Sequence, residues 1–152
     1  MRPSQLPAHE YEFLLRHQVA AMLTVGADGR PKAAKMEPTV LDDRLLSVGH
    51  RHKVRTRRLL RDPRTTLFYD GPGPTWLAVE ATADVVDTPD TPRLILEFMR
   101  LLQQRPTGPL AWHSDNHTEV ELDDHDFMAT MAAEGCLIYH FDIDKTYGNL
   151  PS

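Results

Sequence analysis

Three strand-length segments, separated by residues that favour turns, open the chain, and this punctuation limits its possible folds more than any other feature. Val19 to Val25 is a short apolar run of strand length. It ends at Gly26-Ala27-Asp28-Gly29, where glycines supply the positive φ that tight turns need. Arg30 to Leu41 reads as the return strand, Asp42-Asp43 as the next turn, and Arg44 to Val48 as a third strand. Together they predict a β-meander.

The remainder interleaves helices with further strands. Ala8 to His17 carries Tyr11, Leu14 and Leu15 at helical spacing. A helix over Lys53 to Arg61 is stopped by Asp62-Pro63, because proline disfavours helix in the residue before it. Thr65 to Tyr69 is β-branched and aromatic, and Gly71-Pro72-Gly73-Pro74 is a turn or loop. Trp76 to Val86 alternates as a long strand, with Trp76, Ala78, Glu80 and Thr82 on one face and Leu77, Val79, Ala81 and Ala83 on the other. Pro92 to Gln104 is an amphipathic helix with Leu94, Ile95, Phe98, Leu101 and Leu102 on its stripe. Pro106 to Asp124 is polar and reads as an irregular loop; a short helix to Ala133, a strand over Cys136 to Ile143 and a tail from Tyr147 complete the chain. About six strands and three or four helices in one domain over residues 1–152 fit a small antiparallel barrel, mainly β with helical insertions, better than a doubly wound parallel sheet.

Composition excludes several function classes. No apolar run approaches the roughly 20 residues of a membrane span, and the N-terminus has no secretory apolar region. The single cysteine, Cys136, rules out an internal disulfide and suits a reducing cytoplasm as a small core residue. Asn116-His117-Thr118, a glycosylation sequon by pattern, is therefore read as chance. A net charge of −5 argues against a nucleic-acid partner. The charge is nonetheless uneven: Arg51, Lys53, Arg55, Arg57, Arg58, Arg61 and Arg64 are opposed within their stretch only by Asp62. A local anion site follows as the expectation.

That site is predicted where the third strand passes into the basic helix, at Ser47-Val48-Gly49-His50-Arg51-His52-Lys53-Val54-Arg55-Thr56. Gly49 would let the chain turn away from the strand. The helix start would then offer free N–H groups and the positive dipole end, with Lys53, Arg55 and the Thr56 hydroxyl forming a phosphate cradle. A solvated basic helix face fits the bare pattern equally well. His50 and His52 read as loop histidines near a phosphate. His113 and His117 with Asp115 and Glu119 read as a solvated acidic loop, so no metal site is expected.

The succession Ala21 to Val25, Asp28-Gly29-Arg30-Pro31, Leu45 to Val48 and Lys53 to Arg64 resembles the pyridoxamine 5′-phosphate oxidase-like family, and within it the flavin/deazaflavin oxidoreductases. Trp76 to Ala83 and the closing His140 to Gly148 extend the likeness to nearly the whole chain. The resemblance implies a six-stranded antiparallel split β-barrel of the FMN-binding type. It implies a homodimer holding FMN or the deazaflavin coenzyme F-420 in two interface grooves, with hydride passing between the ring and a small organic substrate. By the same resemblance Lys53, Arg55 and Thr56 hold the phosphate beside the Val54 backbone. Ala34, Lys35 and Met36 lie against the ring, Ser47 and Val48 line its edge or the ribityl chain, and Trp76 lies on the partner side. A non-catalytic flavin- or haem-binding relative is the alternative. Ala34 and Thr39 stand where the oxidase proper has basic residues, and its substrate-binding tail motif is missing from Tyr147 onward, so pyridoxamine phosphate oxidation is not expected. The arginine surplus suits a longer anion such as the polyglutamate tail of F-420. No catalytic dyad is visible.

Overall fold

The computed structural model describes residues 1–114 and 118–152. A short 3-10 turn, Pro3–Gln5, precedes α1 (Ala8–Arg16). The expected meander follows as β1 (Ala20–Val25), β2 (Pro31–Met36), β3 (Thr39–Leu41) and β4 (Arg44–His50). Then come α2 (Val54–Arg61), β5 (Arg64–Asp70), β6 (Trp76–Val86) and α3 (Thr91–Leu102). The chain ends with β7 (Leu110–His113), β8 (Glu119–Leu122), α4 (Asp124–Glu134) and β9 (Cys136–Asn149).

Among the described residues seven strands form one antiparallel sheet in the order β2-β1-β5-β6-β9-β4-β3, and β7 pairs with β8 apart from it. The single return strand expected over Arg30 to Leu41 is two strands. Pro38 has no N–H to give a ladder, so pairing with β1 stops at Met36. The chain resumes at Thr39 on the other end of the sheet, against β4. The two end strands are therefore sequence neighbours joined through Glu37-Pro38, although no ladder closes them. This gap is the split in the barrel, and it raises the expected six strands to seven.

The alternation read for β6 places its Leu77 face inward. Leu77, Val79, Ala81 and Ala83 are buried with Met22, Leu45, Leu67, Tyr69, Tyr139 and Phe141 in the barrel interior. Glu80 is thus on the outer face, 3.4 Å from Lys145 Nζ, and not inside the barrel. β4 is buried on both faces. Leu45 packs inward, while Leu46 belongs to a second cluster with Ile138, Ile95, Phe98, Phe127, Met131 and Trp112. That second core explains why α3 and α4 exist where they do: each lays an apolar stripe on the outside of β4 and β9. Leu101 falls off the expected stripe and is exposed. Asp123 caps α4 by accepting a hydrogen bond from Asp126 N (2.8 Å), and Gly135 ends it at φ +68°.

Two further expectations are corrected. Pro106 to Asp124 is not uniformly irregular. Leu110 and Trp112 point into the second core, and Gln103 pins Ala111 with two hydrogen bonds (2.7 and 2.9 Å), so β7 forms against α3. The final strand does not end at Ile143: it pairs with β6 as far as Asn149, past an irregularity at Glu80/Ala81. Asp115, Asn116 and His117, and with them the sequon and half of the acidic-loop reading, lie outside the described residues. No helix among the described residues is long and apolar enough to cross a membrane.

Candidate functional site

The gap between Met36 and Thr39 opens onto a cleft of about 560 Å³. Its floor is Ser47, Val48 and His50 of β4; one wall is Lys35, Met36 and Glu37, and Arg55 of α2 closes one end. Phe98, Met99 and Leu102 of α3 and Trp112, His113 and Ser114 of the β7 segment form the opposite wall. A second hollow of about 490 Å³ adjoins it, sharing Glu37, Met99, Leu102, Trp112 and His113 and extending to Gln103, Arg105 and Ala111. The two hollows together mix apolar surface (Met36, Val48, Phe98, Met99, Leu102, Trp112) with charged and polar groups, as small-molecule sites do.

Rigidity in the outer wall comes from Trp112. It is 8% exposed, its Nε1–H donates to Glu134 Oε2 (2.6 Å), and its ring meets Phe127 edge-on at 6.0 Å. The His50 ring lies 6.4 Å from it across the cleft floor.

Five predicted residues meet here: Lys35, Met36, Ser47, Val48 and Arg55. The other five are elsewhere. Ala34 faces Met22 across the β1–β2 ladder and packs against the barrel core. Thr56 is 1% exposed, and its hydroxyl is committed to the His50 carbonyl (2.6 Å) and the Tyr139 hydroxyl. The expected phosphate contact from that hydroxyl is therefore replaced by an interior one. Lys53 is the N-cap of α2, and the Val54 side chain points to solvent. Trp76 is on the outer sheet face, stacked on Phe68 (5.6 Å) and edge-on to Tyr147 (6.0 Å).

Gly49 also differs from its expected role. It remains within β4, opposite Leu137, and the chain turns only after His50. What requires glycine is the Tyr139 ring, whose Cζ would be 2.3 Å from an added Cβ.

Part of the basic run is engaged by its own surroundings. Arg51 makes two hydrogen bonds to Asp87 (2.7 and 2.8 Å), Arg64 makes two to Asp62 (3.0 and 2.8 Å), and Arg61 donates to the Val25 carbonyl (2.7 Å). Hydrogen bonds from the Arg64 side chain and backbone hold the Asp62 carboxyl down at about 2. Arg55 is different. It is half-buried in the cleft wall, and its Nε is buried without a hydrogen-bond partner among the described residues. A buried donor of this kind is costly to leave unpaired, and the Arg55 side chain as a whole lines the cleft as a cation. The residues present thus fit an anionic group at this corner.

The second-wall residues escaped sequence reasoning. Phe98 and Leu102 read as core stripe, which they partly are, Met99 falls outside the expected stripe, and four residues of β7 are too few to announce a strand. The Leu110/Trp112 alternation after Pro109 was the available signal.

A search of curated proteins finds no match. Several solved structures match over nearly their full lengths at low identity. An F-420 reductase is 18% identical, with 93% of this chain and 98% of that one covered and a TM-score of 0.64. A conserved hypothetical protein of Mycobacterium tuberculosis is also 18% identical, covering 97% and 90% with a TM-score of 0.69. General Stress Protein 26 of Bacillus anthracis is 15% identical, covering 93% and 92% with a TM-score of 0.62. These likenesses establish the split-barrel fold that the sequence resemblance implied. The family described as pyridoxamine 5′-phosphate oxidase matches residues 6–134, well over half the chain and including every cleft residue from Lys35 to Ser114, so the protein belongs to that family.

Proposed function

We propose that the protein is an oxidoreductase that binds FMN or coenzyme F-420 in the Arg55 cleft and passes hydride to or from a small organic substrate in the adjoining hollow. The observation that carries this reading is the Arg55 guanidinium lining a cleft that also offers Met36, Val48, Phe98, Met99, Leu102 and Trp112 as apolar surface. An anionic tail accepting from that guanidinium would gain a charge-assisted hydrogen bond, worth about 1.5–3 kcal/mol.

Bound there, a flavin or deazaflavin ring would supply the hydride chemistry, and the protein's task is to hold, orient and shield. Met36 and Val48 provide apolar surface for a planar ring, with Lys35 at the rim. Trp112, immobilised by Glu134 and Phe127, keeps the opposite wall in place and water out. Met99, Leu102 and Trp112 are shared by both hollows, so a substrate in the second would lie alongside a ring in the first.

The reading includes a homodimer. Phe68, Trp76 and Tyr147 form an aromatic cluster on the outer sheet face, with Val19 and Phe68 lining a shallow neighbouring hollow. Phe68, Tyr147 and Val19 are 39%, 50% and 51% exposed, an apolar patch suited to a second copy. Trp76 would then serve on the partner side of a groove.

Fluorescence titration with each coenzyme tests the reading. Saturable binding of one of them, followed by turnover with a panel of unsaturated and aromatic acceptors, is expected. Binding without turnover would favour a carrier, and no binding of either would refute the proposal.

A further inference from the structure

We infer that His113 is the proton donor of the reaction: its imidazole protonates a conjugated carbonyl substrate held in the second hollow as that substrate is reduced. The inference rests on the oxidoreductase reading above and deepens it, by naming the substrate class and a catalytic side chain.

Most polar side chains of the second hollow are engaged within the protein. Both amide atoms of Gln103 bond the Ala111 backbone (2.7 and 2.9 Å), and Trp112 donates to Glu134 (2.6 Å). Arg105 donates to Glu121 (3.0 Å) and to the Pro109 carbonyl (3.3 Å). Glu37 and His113 remain, and among the described residues they are the titratable side chains that line both hollows. Alternation along β7 accounts for the second of them. Leu110 and Trp112 turn into the second core, and His113, the last residue of the strand, stays outside it. Glu119, opposite it on β8, has its Oε1 3.9 Å from Nε2, beyond hydrogen-bond reach. The other charged groups around the two hollows are Lys35 and Glu37 beside the barrel gap, Arg55 of α2 and Arg105 after α3, with the His50 ring in the floor.

Reduction of a double bond needs a proton as well as hydride. In a conjugated carbonyl compound the β-carbon accepts hydride from the reduced coenzyme, and the α-carbon accepts a proton from the His113 imidazolium. One C–H bond forms at each carbon and the C=C π bond is lost. The coenzyme is oxidised by two electrons, and a neutral imidazole remains. Because the two carbons are adjacent, the donor has to stand where the hollows meet, as a residue lining both does. Of the two side chains that qualify, an imidazole is the one that carries a releasable proton near neutral pH. The 61% exposure of His113 lets it recover that proton from water between turnovers. Met99, Leu102 and Trp112 give the carbon skeleton of such a substrate an apolar wall.

The test uses the full chain, whichever of FMN and F-420 it binds in reduced form, and cyclohex-2-enone as substrate. In wild type kcat should fall as pH rises through the imidazole range. His113→Gln should still bind the coenzyme, lose about 100-fold or more in kcat and lose that pH dependence. Added imidazole should restore part of the rate in His113→Ala, which it would not do for a residue needed only for structure. A readout independent of turnover is the binding of 4-nitrophenol, whose phenolate mimics an enolate, followed by its visible absorbance. Its affinity should be about tenfold lower in His113→Gln. Undiminished turnover in His113→Gln overturns the inference, solvent then being the donor, and so does coenzyme binding by wild type without enone reduction. Loss of coenzyme binding in His113→Gln also overturns it, since the residue would then hold the coenzyme. Failure of wild type to bind either coenzyme refutes the cofactor reading itself.

Discussion

Replacing Gly49 with alanine places a methyl group where the Tyr139 ring already lies. The added carbon would stand 2.3 Å from Cζ, whereas unbonded carbons prefer about 3.5–4.0 Å. Neither side yields easily. Gly49 is locked in register between Val48 and His50 by pairing with β9, and Tyr139 is fully buried with Phe141 against it. The backbone at 49 is ordinary strand, so the penalty is steric alone. Overpacking of a dense core typically costs about 1–3 kcal/mol, and displacing the phenol from Thr56 adds about 1 kcal/mol for the lost hydrogen bond. In a chain of this length each kcal/mol lowers the melting temperature by roughly 2–4 °C, so Gly49→Ala should melt roughly 5–15 °C lower. Circular dichroism melts read this directly. Adding Tyr139→Leu, which removes the clashing atoms, should make the double variant less unstable than the two single losses combined. A shift below about 2 °C for Gly49→Ala, or full additivity in the pair, would refute the close-approach argument.

Other expectations follow from individual contacts. Asp123→Ala removes the cap on Asp126 N and should cost about 1 kcal/mol in urea unfolding; an unchanged midpoint would contradict it. Asp62 has its folded-state carboxyl depressed to about 2 from an ordinary 3.8, so its contribution is present above the ordinary value and lost as pH falls through the folded one. The difference in melting temperature between wild type and Asp62→Asn should therefore shrink between pH 5 and pH 2, and a constant difference would count against the Arg64 pairing. Phe68→Arg places a charge in the outer aromatic cluster and should shift the protein from dimer to a 17.3 kDa monomer in sedimentation. A dimer that persists would move the interface elsewhere.

The sequence was most informative where one local rule acted alone. Strict alternation from Trp76 to Val86 located β6 to the residue, and Asp62-Pro63 marked the end of α2. It was least informative where two rules competed. Arg30 to Leu41 alternates well enough for one strand, and only the missing N–H of Pro38 divides it and sends its halves to opposite edges. Arginines in a row suggested a local anion site with several cations to offer, yet Asp87 and Asp62 occupy Arg51 and Arg64, the first from a position that spacing does not reveal. Thr56 next to Arg55 looked like a second phosphate donor. Its side chain instead meets Tyr139, a partner 83 residues away. The α3 and β7 wall of the cleft was invisible for a related reason: Met99, Leu102 and Trp112 are at once core and lining, and their apolar pattern announces only the first role.

The central claim is that a redox coenzyme is anchored by its anionic tail at Arg55. Calorimetric titration of FMN and coenzyme F-420 into wild type and Arg55→Ala tests it most directly. The account predicts saturable binding of at least one coenzyme by wild type and a loss of about tenfold or more in the variant. Equal affinity in the two proteins would contradict it.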